Sequence, residues 1–161
     1  MVSPEVQAWA ATYRFTSMMT ARLEATLRSD CGMSLAEHDL LATLDSHGGT
    51  ARMGELATAL MLSKSGTTRL VAKLEVHNGW VVRVLRPEDR RAIWAELTAA
   101  GQEALVSSRP VHRATITDVL AGHVPDERFV DVADTLEQVI GALGWEPPSS
   151  SCAADLAPGR P

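Results

Sequence analysis

Apolar residues recur at spacings of three and four through most of the chain, and this spacing is typical of amphipathic helices. The pattern predicts a first helix over about residues 4–29 and a last helix from about Asp126 to Leu143. At Ile93 the period changes to two, with Ala95 and Leu97 on the same side, as in a strand with one buried face. The chain is therefore predicted to be mainly α-helical with one small β-hairpin.

The first and last helices carry wider apolar faces than a body of this size can cover. In the last helix the apolar stripe consists of Phe129, Val132, Ala133, Leu136, Val139, Ile140 and Leu143. An exposed face of that width marks an interface, and identical chains most often associate as two-fold dimers. We predict a homodimer joined through dimerisation helices within residues 4–29 and 99–144.

Serine caps mark the starts of helices in the middle of the chain. Ser34, followed three residues later by Glu37, forms a capping box. Residues 52–60 predict a short helix, and Ser63 then caps another over residues 64–77. Two short helices joined by about three residues, the second with a polar outward face, predict a helix-turn-helix.

The residues after this helix alternate as a hairpin. Trp80 to Leu85 is rich in valine and predicts one strand, and Ile93 to Leu97 predicts the return strand. Residues 86–91, RPEDRR, are not expected inside a regular strand, because proline lacks a ladder N–H and the charges need water. The result is a hairpin, here called the wing, with a basic tip.

The outward face of helix 64–77 is short, polar and cationic. Small residues near its start permit close approach to a DNA major groove, and hydroxyl and guanidinium groups reach base edges or phosphates. Together with the wing tip, this face gives the predicted DNA-binding residues: Ser63, Lys64, Ser65, Thr67, Thr68, Arg69, Lys73, Arg86, Asp89, Arg90 and Arg91.

The net charge of −5 argues against a nucleic-acid binder, but its distribution reverses that conclusion. Residues 63–91 contain seven basic and three acidic side chains, so this segment carries +4 and the rest of the chain −9. A basic patch on an acidic body is the electrostatic footprint of a groove-binding surface. Two alternatives stay open: a solvated helix face, and a winged helix whose basic face contacts an acidic protein.

Five stretches of the chain resemble the MarR family of bacterial transcriptional regulators: MSLAEHDLLATL, MGELATAL, LSKSGTTRLVAKLE, NGWVVR and PEDRRAIWAELTAAG. The resemblance covers roughly residues 33–105, and its most specific piece is the Asp-Arg-Arg wing followed by Leu-Thr-x-x-Gly. It implies a winged helix-turn-helix homodimer whose N- and C-terminal helices interlock. The recognition helix of each subunit is then expected in a major groove and each wing tip in a minor groove.

The resemblance also implies roles for particular residues. Arg90 is expected to reach the minor groove, and Asp89 and Arg91 to order the wing. Most members of the family are repressors released by small, often phenolic or anionic, ligands. We therefore expect a small-molecule effector, no required cofactor, and double-stranded DNA with a near-palindromic operator as the partner.

The domain organisation predicted from the sequence is simple. Residues 1–145 form one domain, in which about 34–98 are the winged lobe, and residues 146–161 form a disordered tail rich in proline and serine. No run of 18 apolar residues exists, and the N-terminus lacks a basic stretch followed by an apolar core. We expect a cytoplasmic protein with no membrane partner.

An effector pocket is predicted between the dimerisation helices and the lobe, near His38, with Trp9 and His112 as further candidates. The family often has an aromatic residue where this chain has His38. An imidazole there can donate to an anionic ligand, bind a metal or titrate near neutral pH. The alternative is that His38 only hydrogen-bonds a neighbouring backbone carbonyl.

Catalytic and metal sites are not predicted. The chain has no GxSxG, Walker A, HExxH or Rossmann glycine pattern, so we expect no enzyme. No two histidines lie at i and i+4, and only a pairing of His38 with His112 from different helices stays open. Cys31 and Cys152 are too few for a disulfide framework. Cys31 is predicted to be a small semi-buried thiol, with a redox sensor as the alternative.

Overall fold

The computed structural model describes residues 2–87 and 89–145. Within them the chain is mainly helical with one small antiparallel sheet, which confirms the predicted fold class. In chain order the elements are α1 (Pro4–Cys31), α2 (Leu35–Ser46), β1 (Thr50–Arg52), α3 (Met53–Ala59), α4 (Lys64–Lys73), β2 (Val81–Arg86), β3 (Asp89–Leu97), α5 (Ala99–Leu120) and α6 (Asp126–Ala142). The predicted tail, residues 146–161, lies outside the described residues.

The predicted caps of the lobe helices are confirmed. At the start of α2, the Ser34 N–H donates to Glu37 Oε2 at 2.7 Å, and the Glu37 N–H donates to Ser34 Oγ at 3.2 Å. At α4 the Gly66 N–H donates to Ser63 Oγ at 3.1 Å. These bonds satisfy backbone donors that a helix start otherwise leaves free, so local sequence fixes where each helix begins.

The core of the lobe lies where α2, α3 and α4 pack against the sheet and against α5. Residues of the predicted apolar stripes lie at the centre of this core. The buried members are Leu40, Leu41, Leu44, Ala51, Leu56, Val71, Leu74, Val81, Ala95 and Leu105. This core fixes α4 by its inner face, and the outer face of α4 is left in solvent.

The predicted recognition helix differs from the observed one at its end. Residues 64–77 were expected as one α-helix, but α4 ends at Lys73 and a π-helical turn, Leu74–Asn78, continues it. Gly79 then adopts φ +64°, a conformation that glycine tolerates best, and the Trp80 N–H donates to Leu74 O at 3.1 Å. The wider turn places Glu75 where its carboxylate accepts from the Arg83 N–H at 2.9 Å.

The sheet has the strand order β1-β3-β2, all antiparallel. The hairpin was predicted, whereas β1 was not, because three residues carry too short a pattern. The prediction that residues 86–91 lie outside the strands is corrected: β2 runs to Arg86 and β3 begins at Asp89, with an irregular register after Leu85. Arg86 is tolerated in the strand because other side chains satisfy its charge.

The outer helices leave apolar surface uncovered within one chain. α1 packs on α5, but Trp9, Tyr13 and Met18 stay exposed on it. No residue of α6 is buried, although Leu136 and Val139 belong to its apolar stripe. None of the helices in the described residues combines the length and apolar character needed to cross a bilayer.

Candidate functional site

The outer face of α4 presents exposed polar residues over its first two turns: Lys64, Ser65, Thr68 and Arg69. Ser65 Oγ lies 3.2 Å from Ser63 Oγ, and the Thr68 hydroxyl donates to Lys64 O at 2.8 Å. No ion pair involving Lys64 or Arg69 occurs among the described residues. This surface, which we call the α4 face, is therefore positively charged and open to a partner.

Thr67 was predicted to bind DNA, and this prediction is wrong. Its side chain is fully buried, with 0% exposure, and its hydroxyl donates to Ser63 O at 3.2 Å. It lies on the same side of α4 as Val71, which is in the core. A helical position three or four residues from a core residue faces inward, so Thr67 cannot reach a groove.

Several cations of the basic segment form ion pairs within the lobe, although their side chains stay partly exposed. Lys73 Nζ lies 2.7 Å from Glu37 Oε1, and an Arg83 guanidinium nitrogen lies 2.6 Å from Glu75 Oε2. Burial alone would raise the pKa of Glu37, but hydrogen bonds from Lys73 and from Ser34 hold it below its usual value. Lys73, predicted as a DNA contact, instead links α4 to α2.

Arg86, a second predicted DNA contact, is likewise occupied within the sheet. Its guanidinium donates to Thr50 Oγ1 at 2.9 Å and to Glu96 Oε1 at 3.0 Å. The same group lies 4.2 Å from the centre of the Trp94 ring. Stacking uses one face of the planar guanidinium and Nη2 donates both hydrogen bonds, so Arg86 of β2 is joined to β1 and β3.

The wing tip lies largely outside the described residues. Glu88 is not described, and for Asp89, Arg90 and Arg91 only the strand assignment of the backbone is given. The roles that the family resemblance implies for these three side chains therefore stay predictions.

A second group of polar side chains lies between α2 and α5. His38 is buried, with 4% exposure, and its Nδ1 lies 2.8 Å from Ser108 Oγ. The His38 ring stacks on the His112 ring, with centroids 4.5 Å apart and planes at 21°. His38 thus bonds a serine hydroxyl of another helix, not the neighbouring backbone carbonyl that was the alternative reading.

Asp39 completes this group, which we call the junction cluster: His38, Asp39 and His112. One ligand atom from each of the three lies within 4.8 Å of the others. Burial, followed by the nearby His112 and Arg109, lowers the pKa of His38 to about 4, and burial lowers the pKa of His112. Burial also raises the pKa of Asp39 to about 6. At neutral pH both imidazoles are uncharged and the carboxylate is mostly ionised.

The structure does not bring every predicted ligand residue to this cluster. Trp9 is 67% exposed on α1 and its ring contact is with Tyr13, at 6.1 Å between centroids. Cys31 is half-buried at the end of α1, and burial, then the charge of Asp30, raise the pKa of its thiol. A raised pKa favours the unreactive thiol, as the semi-buried interpretation predicts. Cys152 lies outside the described residues.

Sequence reasoning missed Ser108 and gave Asp39 no place in a binding site. A signal existed for Ser108, because it lies four residues before His112 and therefore on the same face of α5. Asp39 directly follows His38 in the sequence, but adjacent helical residues do not normally share a face. Only the packing of α2 on α5 brings these residues together.

Comparisons with known proteins agree with the fold and with the sequence motifs. Residues 32–92 match the family model of the MarR family. Over 80 residues the chain is 34% identical to the HTH-type transcriptional regulator YkoM of Bacillus subtilis, a protein described as uncharacterized. That match covers 50% of this chain, and the chain spans 51% of the length of YkoM.

Solved structures extend the likeness to nearly the whole chain. Sco3205, a MarR family regulator of Streptomyces coelicolor solved with DNA, matches with a TM-score of 0.79 and 27% identity, covering 92% of each chain. AbsC, a MarR family regulator of the same organism, matches with a TM-score of 0.81 and 26% identity, covering 91% of this chain and 98% of its own.

The fold and the α4 face thus define a winged helix-turn-helix protein. Within that class, residues 32–92 match the family model of the MarR family and the structural neighbours Sco3205 and AbsC are MarR family regulators, in agreement with the motif resemblance. The family and these structural neighbours are transcriptional regulators, not enzymes.

Proposed function

We propose that this chain is a cytoplasmic, sequence-specific DNA-binding transcriptional regulator, a homodimeric repressor released by a small effector. The observation that carries the proposal is the α4 face, where Lys64 and Arg69 are exposed and have no described ion-pair partner. The DNA-bound state of Sco3205, a protein of the same fold at 27% identity, supports it. Small hydroxyl residues beside two cations suit a major groove, where close approach and base-edge hydrogen bonds are needed.

The set of DNA contacts in this proposal is smaller than the basic segment as a whole. Ser65, Thr68 and Arg69 contact bases or phosphates from α4, and Arg90 enters the minor groove from the wing. Lys73 and Arg86 keep their partners inside the lobe, because releasing a paired cation to reach a phosphate exchanges one ion pair for another. Ser63 acts through its cap, which holds the first turn of α4.

The dimer in this proposal uses the uncovered apolar surface of α1 and α6. Trp9 and Met18 on α1 and Leu136 and Val139 on α6 are exposed in a single chain. Burying such a face against a second copy contributes about 25 cal/mol for each Å² of apolar surface removed from water. Two-fold symmetry then requires a near-palindromic operator with half-sites about 10 bp apart.

The effector in this proposal binds at the junction of the lobe with α5. Two structural neighbours were solved with bound small molecules: the organohalide-sensing RdhR-CbdbA1625 regulator with 2,4-dichlorophenol, and CouR of Rhodococcus jostii RHA1 with p-coumaroyl-CoA. They are 14% and 24% identical to this chain. In this chain the junction cluster joins α2 to α5, with His38 buried and Asp39 and His112 half-buried, so a ligand there would act on the position of the lobe.

The test compares an unpaired with a paired cation of the same basic segment. Genomic fragments retained by the protein supply the operator, and fluorescence anisotropy measures affinity at fixed salt. Arg69→Ala should weaken binding by about 1–3 kcal/mol, as expected for loss of a base contact. Arg83→Ala removes the same charge but should cost much less, because Arg83 already pairs with Glu75.

Two results would contradict the proposal. If Arg69→Ala bound the operator as tightly as wild type, Arg69 on α4 would not contact the DNA. Retention of no genomic fragment even at low salt, where phosphate contacts are strongest, would favour the other class of function, a winged helix that binds an acidic protein.

A further inference from the structure

The junction cluster has the composition and spacing of a metal site. Two imidazoles and one carboxylate converge from α2 and α5, with one atom from each residue within 4.8 Å of the others. In a tetrahedral site with metal–ligand bonds of about 2.0–2.2 Å, ligand atoms lie about 3.3–3.5 Å apart. Binding one ion requires the stacked His38 and His112 rings to turn until one nitrogen of each faces the same point, and requires α2 and α5 to adjust by the remaining distance.

The hydrogen bonds around His38 leave one nitrogen ready to bind a metal. The Ser108 hydroxyl donates its single proton to Leu105 O at 3.1 Å. With the proton placed there, the Ser108 oxygen accepts from His38 Nδ1–H, 2.8 Å away, and this tautomer of His38 has its lone pair on Nε2. A ligating histidine typically donates its other ring N–H in this way, and the partner fixes the tautomer and ring orientation.

The charge of the cluster suits a bound cation. Asp39 is half-buried, and among the described residues none donates a hydrogen bond to its carboxylate or forms an ion pair with it. The nearby Arg109 pairs with Asp45 at 2.5 Å across the same two helices. A carboxylate withdrawn from water without a partner is unfavourable, and a bound cation removes that cost.

We propose that the effector of this regulator is a divalent first-row transition-metal ion, bound by His38 Nε2, His112 and Asp39. The proposal rests on the regulatory function proposed above and names the effector class of that same site. Two nitrogen ligands select such an ion over Mg²⁺ or Ca²⁺, which prefer oxygen. Three protein ligands leave a further coordination position for water.

The metal would act by joining the lobe to the dimer body. His38 and Asp39 belong to α2 of the lobe, whereas His112 belongs to α5. An ion shared by the two helices favours one spacing between them, and it changes DNA affinity by the difference between its affinities for the two spacings. Metal and operator must therefore each alter the affinity of the other by the same factor.

The binding experiment uses the full chain after chelator treatment at pH 7.5. Co²⁺ is the spectroscopic probe, because its d–d absorption reports nitrogen and oxygen coordination, and Zn²⁺ competes for the same site. We expect one Co²⁺ per chain in wild type. His112→Gln and Asp39→Asn should each weaken binding by more than about 100-fold, since even the outer partners of metal ligands contribute 10–100-fold.

Two further variants separate ligation from folding. His123→Gln removes an exposed histidine beyond α5 and should leave Co²⁺ affinity unchanged. Ser108→Ala should weaken binding by about 10–100-fold, as expected for an outer partner. Thermal unfolding of each metal-free variant identifies any that fail to fold, and Asp39→Asn should fold well because it removes an unpartnered charge. No saturable Co²⁺ binding, or binding unchanged in both His112→Gln and Asp39→Asn, would overturn the site.

A DNA-binding arm separates the two proposals. Operator affinity is measured with metal-free protein, with Zn²⁺ and with Mg²⁺ as the control ion. A change of at least fivefold with Zn²⁺, absent in Asp39→Asn and with Mg²⁺, supports the metal effector. Operator binding without any metal binding rejects the metal and keeps the regulator. Metal binding without any DNA binding rejects the regulator, and metal binding that leaves operator affinity unchanged rejects the effector role.

Discussion

The winged lobe meets α5 at two junctions, and they differ in how fully their polar groups are satisfied. At the wing, the Thr98 hydroxyl donates to Gly79 O at 2.7 Å and accepts from the Gly101 N–H at 3.1 Å. The Thr98 N–H donates to Trp80 O at 3.0 Å. At α2, His38 has Ser108 as a partner, but the Asp39 carboxylate has none among the described residues.

The difference indicates which junction is fixed and which can respond to a ligand. A Cβ built on Gly101 would lie 2.2 Å from Trp80 O and 2.8 Å from Leu97 Cδ1, so backbone and side chains already fill the wing junction. Moving it breaks satisfied hydrogen bonds and creates clashes. The α2 junction carries an uncompensated carboxylate, so a cation there lowers the free energy of one arrangement at little cost.

The largest effect is expected from filling the wing junction. Gly101→Ala should destabilise the fold by about 3 kcal/mol or more, at the upper end for overpacking, because the nearest obstacle is a backbone carbonyl. Gly54→Ala on α3 is the matched control, since a Cβ there meets nothing within 4 Å. It should be neutral or stabilise by up to about 1 kcal/mol through helix propensity. Urea unfolding of both variants measures the difference in unfolding free energy. Similar unfolding free energies would show that Gly101 is not closely packed against Trp80 O.

A smaller loss of unfolding free energy is expected from breaking the hydrogen bonds of the wing junction. Thr98→Ala removes both the cap of α5 and the bond to Gly79 O, and should cost about 1–2 kcal/mol of unfolding free energy. Thr98→Ser keeps the hydroxyl and should stay within about 0.5 kcal/mol of wild type. If Thr98→Ser were as unstable as Thr98→Ala, the lost methyl group would explain the effect and the hydroxyl would not.

A substitution at the α2 junction should increase the stability of the fold, whereas those at the wing junction decrease it. Asp39→Asn replaces a partly buried carboxylate by a neutral side chain of the same shape, so at pH 7.5 without metal it should stabilise the fold by about 1 kcal/mol. For a chain of this size that gain raises Tm by about 2–4 °C. Differential scanning calorimetry in the presence of chelator measures it. A lower Tm would indicate that the Asp39 carboxylate is well solvated or paired in the folded state.

The smallest expected effect is a change in the slope of stability with pH. The pKa of His38 falls from 6.5 to about 4 on folding, so as pH falls through that window the unfolded chain binds the extra proton and stability is lost. The pKa of Asp39 rises from 3.8 to about 6, so between those values the folded chain binds the extra proton and stability is gained. The two contributions oppose each other between about pH 6 and 4.

Replacing either His38 or Asp39 should therefore reveal the contribution of the other to the pH dependence of stability. Metal-free Asp39→Asn should lose stability between pH 6 and 4 more steeply than wild type, because His38 and His112, whose pKa values are both lowered, then act unopposed. His38→Gln should lose stability less steeply than wild type over the same range. Urea midpoints measured at half-unit pH intervals test both slopes, and parallel curves for all three proteins would show that neither group is perturbed as described.

The sequence alone determined the local features of this protein. The caps at Ser34 and Ser63 could be predicted directly, since a cap depends on residues within one turn of each other. The helical stripes, the hairpin and the MarR motifs were found for the same reason, because spacing along the chain fixes them. The spacing of apolar residues also predicted the exposed apolar faces of α1 and α6.

Only the tertiary structure decided which polar residues are free. Seven basic residues look alike in the segment from Ser63 to Arg91, but Lys73, Arg83 and Arg86 find partners on other elements, and Lys64 and Arg69 have none described. The junction cluster depends in the same way on the packing of α2 against α5. Burial and pairing join residues far apart in the chain, so no local spacing encodes them.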